Sequence, residues 1–305
     1  MANFKDFQLS DEQLSLKQQA ITYAETELND DLLQQDYESQ FSRDKWNKCA
    51  EFGIQGLCFP DDYVGLGRNS PTTILILEGL CYGCEDNGLL SALNGQMWVV
   101  QQLFLTFGSA AQKQKYLPGL CHGELIGAHG MTESDSGSDA FSLQTRAERR
   151  DGGYVINGSK LMISLAPVCD VAVVFAITDP SLGQWGISAF LVEKGMAGFH
   201  VSKALEKMGL RTVPLGELIL ENCFVPEANR LGPEGAGTSI FASTMEWERG
   251  FNFSGHVGAM ERQLEKVIAD VKQSKQFDPS VETTQPISRR IADMKLRLET
   301  SRLHL

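Results

Sequence analysis

From position 130 the chain reads Gly130-Met131-Thr132-Glu133-Ser134-Asp135-Ser136-Gly137-Ser138-Asp139, with no apolar side chain after Met131. An apolar run, Leu125-Ile126-Gly127-Ala128, leads into it. A strand that ends in exposed amides and hydroxyls can hydrogen-bond a flat polar ligand along its edge. Composition alone reads first as an ordinary loop. Downstream, Asp151-Gly152-Gly153-Tyr154-Val155-Ile156-Asn157-Gly158-Ser159-Lys160 reads as a hairpin, because Asp-Gly and Asn-Gly turn signals bracket a β-branched and aromatic run. A third chemistry-bearing stretch is Met245-Glu246-Trp247-Glu248-Arg249-Gly250. Its carboxylates could act as bases if buried; by themselves they describe a solvated helix face.

Other chemistries lack their residues. His122, His129, His200, His256 and His304 show no ligand spacing, so no metal site is expected. Gly65-Leu66-Gly67 lacks the third glycine of a dinucleotide fingerprint, and no G-x-S-x-G elbow occurs. Cys81-Tyr82-Gly83-Cys84 has no second pair and no histidine cluster, which predicts two buried thiols on one helix face. Seven cysteines at irregular spacing, without a signal or transit sequence, point to a reduced, cytoplasmic compartment. A net charge of −12 argues against nucleic acid or an anionic membrane as the main partner. No apolar run approaches the ~20 residues needed to cross a bilayer.

The elements that must position these residues change character along the chain. Ser10-Asp11-Glu12-Gln13 is a capping-box pattern opening a helix to about Leu28. Further helices are expected over Ser42–Phe52, Pro71–Cys84, Leu89–Phe107 and Ser109–Leu117, the last ending at Pro118. The period then shortens. Leu125–Thr132, Ser142–Glu148, Tyr154–Ser164, Val171–Thr178, Ile187–Glu193 and Glu217–Glu221 read as short strands of a small barrel or sandwich. Helical periodicity returns over Ser239–Lys272 and Ile287–Leu303, with a polar joint at Gln273–Pro286.

Thr132-Glu133 with Gly137-Ser138-Asp139, followed by Tyr154-Val155-Ile156-Asn157-Gly158-Ser159-Lys160, resembles the paired middle-domain signature of the acyl-CoA dehydrogenase family. Lys207-Met208-Gly209-Leu210-Arg211, Val225-Pro226 and Gly232-Pro233-Glu234-Gly235-Ala236-Gly237 follow in family order, so the resemblance covers essentially the whole chain. It implies an α+β fold: an N-terminal α-helical domain (1–123), a middle β-barrel domain with the flavin loop (124–232) and a partial C-terminal helical bundle (233–305). Family members carry further helices, so the chain is expected to be a fragment or a shortened relative.

The reaction that the resemblance implies removes a proton alpha to a thioester carbonyl and passes the beta hydrogen as hydride to FAD. It places Met131 and Thr132 against the flavin ring, His129 at its approach, Gly137 at a close backbone approach and Ser138 on both cofactor and substrate. Met162, Ile163 and Ser164 face the other ring edge, with Met162 where the family usually has an aromatic residue. Most members carry the catalytic base on later helices. A minority carry it as a Glu directly before an Arg on the helix after the β-domain, which here is Glu248-Arg249. Arg249 then serves the substrate side by holding that helix or Glu248 in place. One departure is Ser274-Lys275-Gln276-Phe277-Asp278, where the family reads R-K-x-F-G and its Arg reaches the flavin pyrophosphate of a neighbouring subunit.

The default substrate is an acyl-CoA, and the alternative is an acyl, hydroxyacyl or aminoacyl group on a carrier protein in a biosynthetic pathway. Electrons would pass to an electron-transfer flavoprotein or oxygen, and a homo-oligomer is expected. A flavin monooxygenase or a non-catalytic relative on the same fold are further readings; Glu248 favours the dehydrogenase over the monooxygenase.

Overall fold

A computed structural model of the chain describes residues 9–273 and 281–305. In order, the helices before the strands are α1 (Asp11–Glu27), α2 (Leu32–Glu38), α3 (Arg43–Glu51), α4 (Ser70–Gly83), α5 (Asn87–Asn94), α6 (Gln102–Phe107) and α7 (Ala110–Cys121). The strands are β1 (Gly127–Gly130), β2 (Arg146–Arg150), β3 (Gly153–Ser164), β4 (Val171–Ile177), β5 (Ile187–Glu193), β6 (Phe199–Val201), β7 (Leu215–Pro226) and β8 (Arg230–Leu231). Helices α8 (Gly237–Phe251), α9 (His256–Gln273) and α10 (Val281–His304) follow.

The chain divides into two compact units. One holds α1, α4, α9 and α10. The Ser10 capping box opens α1 as its sequence demands: the Ser10 side chain accepts from Gln13 N, and the Gln13 side chain accepts in return. Helix α9 lies so close to α4 that a Cβ on Gly258 would stand 1.9 Å from the Glu78 carbonyl oxygen. Glu78, 2% exposed, is the buried charge on largely apolar α4. Its carboxylate accepts from Lys17 at 3.0 Å and Arg302 at 2.8 Å, and Arg302 also reaches Glu261 at 2.8 Å, which pairs the buried charge as burial requires. Cys81 and Cys84 are buried thiols outside any disulfide at the end of α4, and burial pushes the Cys81 thiol up.

The other unit contains the sheet, helices α2, α3, α6, α7 and α8, and all of α5 after Asn87. Strand order is β6-β7-β3-β2-β4-β5-β8, with β1 parallel to β4. Strand β4, VAVVFAI, is buried on both faces except at its last residue, which is why it reads as a continuous apolar run. The expected barrel is corrected here: β6 and β8 end the order unpaired to each other, so the eight-stranded sheet is not closed.

Local departures have local causes. Asp151-Gly152 makes the β2–β3 turn, but Asn157-Gly158 is a bulge inside β3 rather than a turn. Gly158 has φ +148°, and a Cβ there would lie 2.4 Å from Thr145 Oγ1. Strand β2 starts at Arg146 instead of Ser142, because the Gln144 and Thr145 amides donate to the Glu133 carboxylate and not to a ladder. The expected helix Leu89–Phe107 carries a π-helical segment at Gly95–Gln101. Pro118 sits inside α7, and the helical stretch Ser239–Lys272 is broken between Phe251 and His256. Helix α2 and the short strands β6 and β8 were not expected from the sequence pattern.

Candidate active site

The two polar signatures meet through one buried ion pair. Lys160, fully buried on β3, donates to Glu133 Oε1 at 2.7 Å and to the Met131 carbonyl at 3.2 Å. The Glu133 carboxylate also accepts the Gln144 amide at 2.6 Å and the Thr145 amide at 3.2 Å. Leu161 N donates to the Thr132 carbonyl at 2.9 Å, so the loop is fixed against β3 by backbone as well as charge. Burial would raise the Glu133 carboxyl, but the Lys160 charge and these donors hold it below its ordinary value. Burial draws the Lys160 ammonium down to about 8 despite the pull of Glu133.

Beside this anchor lies a cavity of about 190 Å³. His129 from β1, Thr132 from the loop, and Met162, Ile163 and Ser164 from β3 form one side; Gly95, Val99, Glu248 and Asn252 form another. The last two reach it because α8 is locked to the π-helical segment. Trp98 stacks on Trp247 with centroids 6.0 Å apart and planes 3° from parallel, and on Phe251 at 4.9 Å. A π-turn shifts the side chains after it relative to an α-helix and often marks a functional site.

Met162 is held in the left-handed region at φ +58°, where β3 slips register against β7 between Lys160 and Ile163. A non-glycine residue there costs roughly 1–3 kcal/mol. The strain turns an apolar side chain outward, 63% exposed. His129 Nε2 is buried and has no hydrogen-bond partner among the described residues, while its ring packs on Phe175 and Phe241. Burial and the nearby Lys160 charge lower His129 to about 4, so the imidazole is neutral at pH 7. An orphaned ring nitrogen, two hydroxyls at Thr132 and Ser164, and an outward apolar Met162 fit a flat heteroaromatic ring with a polar rim. They therefore fit the flavin.

Of the residues expected at the site, His129, Thr132, Met162, Ile163, Ser164 and Glu248 come together around the cavity. Met131 is buried beneath it and offers its carbonyl to Lys160. Gly137 and Ser138 lie on the exposed part of the loop, Arg249 is exposed on α8, and none of the three lines the cavity. Glu246 is exposed, as the two-residue offset from Glu248 predicts. Ser274-Lys275-Gln276-Phe277-Asp278 falls outside the described residues. Burial raises the Glu248 carboxyl, with Arg249 opposing. Sequence reasoning missed Ser91, Gly95, Val99 and Asn252. The one available signal was Asn252, four residues after Glu248 and so on the same helix face.

An open sheet flanked by helices, with a half-buried carboxylate lining a cavity whose residues fit a flavin, points to a flavin-dependent oxidoreductase acting on carbon acids. Comparison with known proteins makes the class specific. The acyl-CoA dehydrogenase N-terminal, middle and C-terminal domain families match residues 10–124, 128–223 and 235–305. The L-prolyl-[peptidyl-carrier protein] dehydrogenase of Pseudomonas fluorescens is 40% identical over 266 residues, covering 87% of this chain and 70% of that protein. The crystal structure of the prolyl acyl carrier protein oxidase AnaB superposes with TM-score 0.95 at 42% identity, over 97% of this chain and 78% of that one. PigA with FAD and proline superposes with TM-score 0.93 at 36% identity, over 98% and 78% of the two chains. The chain belongs to the acyl-CoA dehydrogenase family. It is an FAD-dependent oxidoreductase acting on the CH–CH bond of an acyl thioester.

Proposed function

We propose that the acyl group is a small α-aminoacyl unit, such as prolyl, borne on a carrier protein, and that Glu248 removes its α proton. The observation that carries the reading is Glu248 lining one cavity together with the polar side chains of His129, Thr132, Ser164 and Asn252. Polar side chains around the base suit a compact, partly polar acyl unit better than a long hydrocarbon chain. The prolyl specificity of the relatives just named supports the same reading. A CoA thioester remains the second reading, favoured by the family to which the chain belongs.

Bound FAD supplies the hydride acceptor for the beta hydrogen. The residues of this chain do the rest. His129, Met131, Thr132, Met162, Ile163 and Ser164 would hold the ring. Gly137 and Ser138 lie on the exposed turn of the same loop and would meet the remainder of the cofactor and the thioester arm. Glu248, desolvated and so more basic than a surface carboxylate, takes the α proton onto its carboxylate oxygen. The stacked Trp98, Trp247 and Phe251 wall keeps water from the rear of α8. Exposed Arg249 positions α8 electrostatically and offsets part of the burial effect on Glu248.

The remaining assignments follow from the same reading. The domain limits are 1–123, 124–232 and 233–305, a division supported by the three family matches. The protein works in the cytoplasm as a homo-oligomer, with an electron-transfer flavoprotein or oxygen as acceptor. Exposed Leu296 and Leu303 on α10 support a covering partner copy. The test is single-turnover flavin reduction with prolyl-carrier protein, prolyl-pantetheine and butyryl-CoA. Faster bleaching by the prolyl thioesters is expected; bleaching by butyryl-CoA alone would return the assignment to the CoA reading.

A further inference from the structure

Asn252 closes α8, and its backbone N–H donates to the Glu248 carbonyl at 2.9 Å. One turn apart, the two side chains share a helix face and line the same cavity. Asn252 Oδ1 is buried, and no donor among the described residues bonds it. A buried acceptor without a partner costs roughly 1–3 kcal/mol, and a donor that enters the cavity with the ligand removes that cost. The other buried orphan lining this cavity, His129 Nε2, lies beside the Thr132 and Ser164 rim that fits the flavin. Asn252 instead neighbours the base.

We propose that Asn252 Oδ1 accepts a hydrogen bond from an N–H on the acyl unit and so selects α-aminoacyl thioesters over their all-carbon isosteres. The inference rests on the reading of Glu248 as the base and names the group that sits next to it. In an α-aminoacyl thioester the amine is bonded to the same carbon whose proton Glu248 removes. Two acceptors one helical turn apart on a common face can therefore address two hydrogens of one substrate centre: Glu248 the C–H, Asn252 the N–H. The bond to Asn252 fixes rotation about the α carbon and presents the C–H to the carboxylate. A hydrocarbon acyl group of the same shape leaves Oδ1 unpaired, and a site built to bond a polar group discriminates strongly against an analogue that lacks it. Asn252 is on this account a specificity and positioning residue.

The test uses two ligand pairs and the full chain as purified with its FAD. The first pair is the amide-linked, non-oxidisable pantetheine conjugates of proline and of cyclopentanecarboxylic acid, compared by calorimetry. The parent is expected to prefer the prolyl conjugate by roughly 10–100-fold. Asn252→Leu, close in volume and unable to accept, is expected to lose most of that preference by weakening prolyl binding and sparing the carbocycle. Asn252→Ala provides the same comparison should the leucine variant fold poorly. The second pair is the corresponding thioesters, followed by flavin bleaching. A parent without preference, or variants that keep the parental ratio, overturn the proposal. If binding shows the Asn252-dependent preference while neither thioester bleaches the flavin, the dehydrogenation reading fails and the Asn252 assignment stands.

Discussion

Glu248 is pulled in two directions: burial raises its carboxyl, Arg249 lowers it, and burial prevails. A carboxyl that binds its proton more tightly folded than unfolded stabilises the fold fully below its unfolded value. That contribution is lost as pH rises through the folded value. Near neutrality the ionised Glu248 is therefore a burden on stability, one that the proposed role as base requires. Glu248→Gln should lower single-turnover flavin reduction by roughly 10²–10⁴-fold, the range typical of a lost general base. The same variant should raise the urea midpoint at pH 7, and the gain should shrink as pH falls into the ordinary carboxylate range. Glu246→Gln, on the exposed face, should change neither. In the parent, flavin reduction should rise with pH through a midpoint above that of an ordinary carboxylate. A parental rate in Glu248→Gln would remove the assignment. Glu248 became a candidate through the family resemblance, since the Met245–Gly250 stretch by itself describes a solvated helix face. Asn252 did not, since nothing in the local sequence says which polar side chains of α8 end up without partners.

At the scale of elements, the Glu133–Lys160 pair is what turns two sequence signatures into one structure. Lys160 bonds both Glu133 and the Met131 carbonyl, so it ties β3 to the loop that presents Thr132. Lys160→Met should destabilise by about 3–5 kcal/mol, because it leaves a buried carboxylate without its counter-ion. Pairing it with Glu133→Gln should recover much of that loss in the same urea titration. A single variant as stable as the parent would show that the loop is held by its backbone bonds alone. The signatures were visible as motifs, but the bond between them was not, because 27 residues separate the partners. Similar limits explain the misread elements. Asn157-Gly158 has turn composition, yet the close approach of Thr145 demands the glycine within a continuous strand. Strands of three and two residues, β6 and β8, are too short to show alternation. Pro118 is tolerated inside α7 near its C-terminal end.

For the whole molecule, the order helices, strands, helices was readable from hydrophobic period, and the family signature from motifs spread from Thr132 to Gly237. The cavity was not, because it is assembled from residues near 91–100, 127–132, 162–165, 213 and 248–252, which only the tertiary fold brings together. Closure of the sheet was misjudged for a related reason: strand count is a sequence property, whereas pairing of the first and last strands is set by the paths between them. If this assembled cavity seats FAD, the cofactor binds the folded chain and not the unfolded one, and it must stabilise the fold by mass action. At free FAD about 100-fold above its dissociation constant the gain is about 2.7 kcal/mol, enough to move the melting temperature by several degrees. The purified protein should be yellow, and stripping FAD should lower its melting temperature until FAD is restored. Glu248→Gln should keep the full shift, since Glu248 is proposed to address the substrate and not the cofactor. Met162→Gly should reduce it: it relieves the φ +58° strain and so favours the empty fold, while removing the apolar side chain proposed to hold the ring. A chain that neither retains nor takes up FAD, with a melting temperature indifferent to it, would remove the flavin from this cavity and the oxidoreductase chemistry with it.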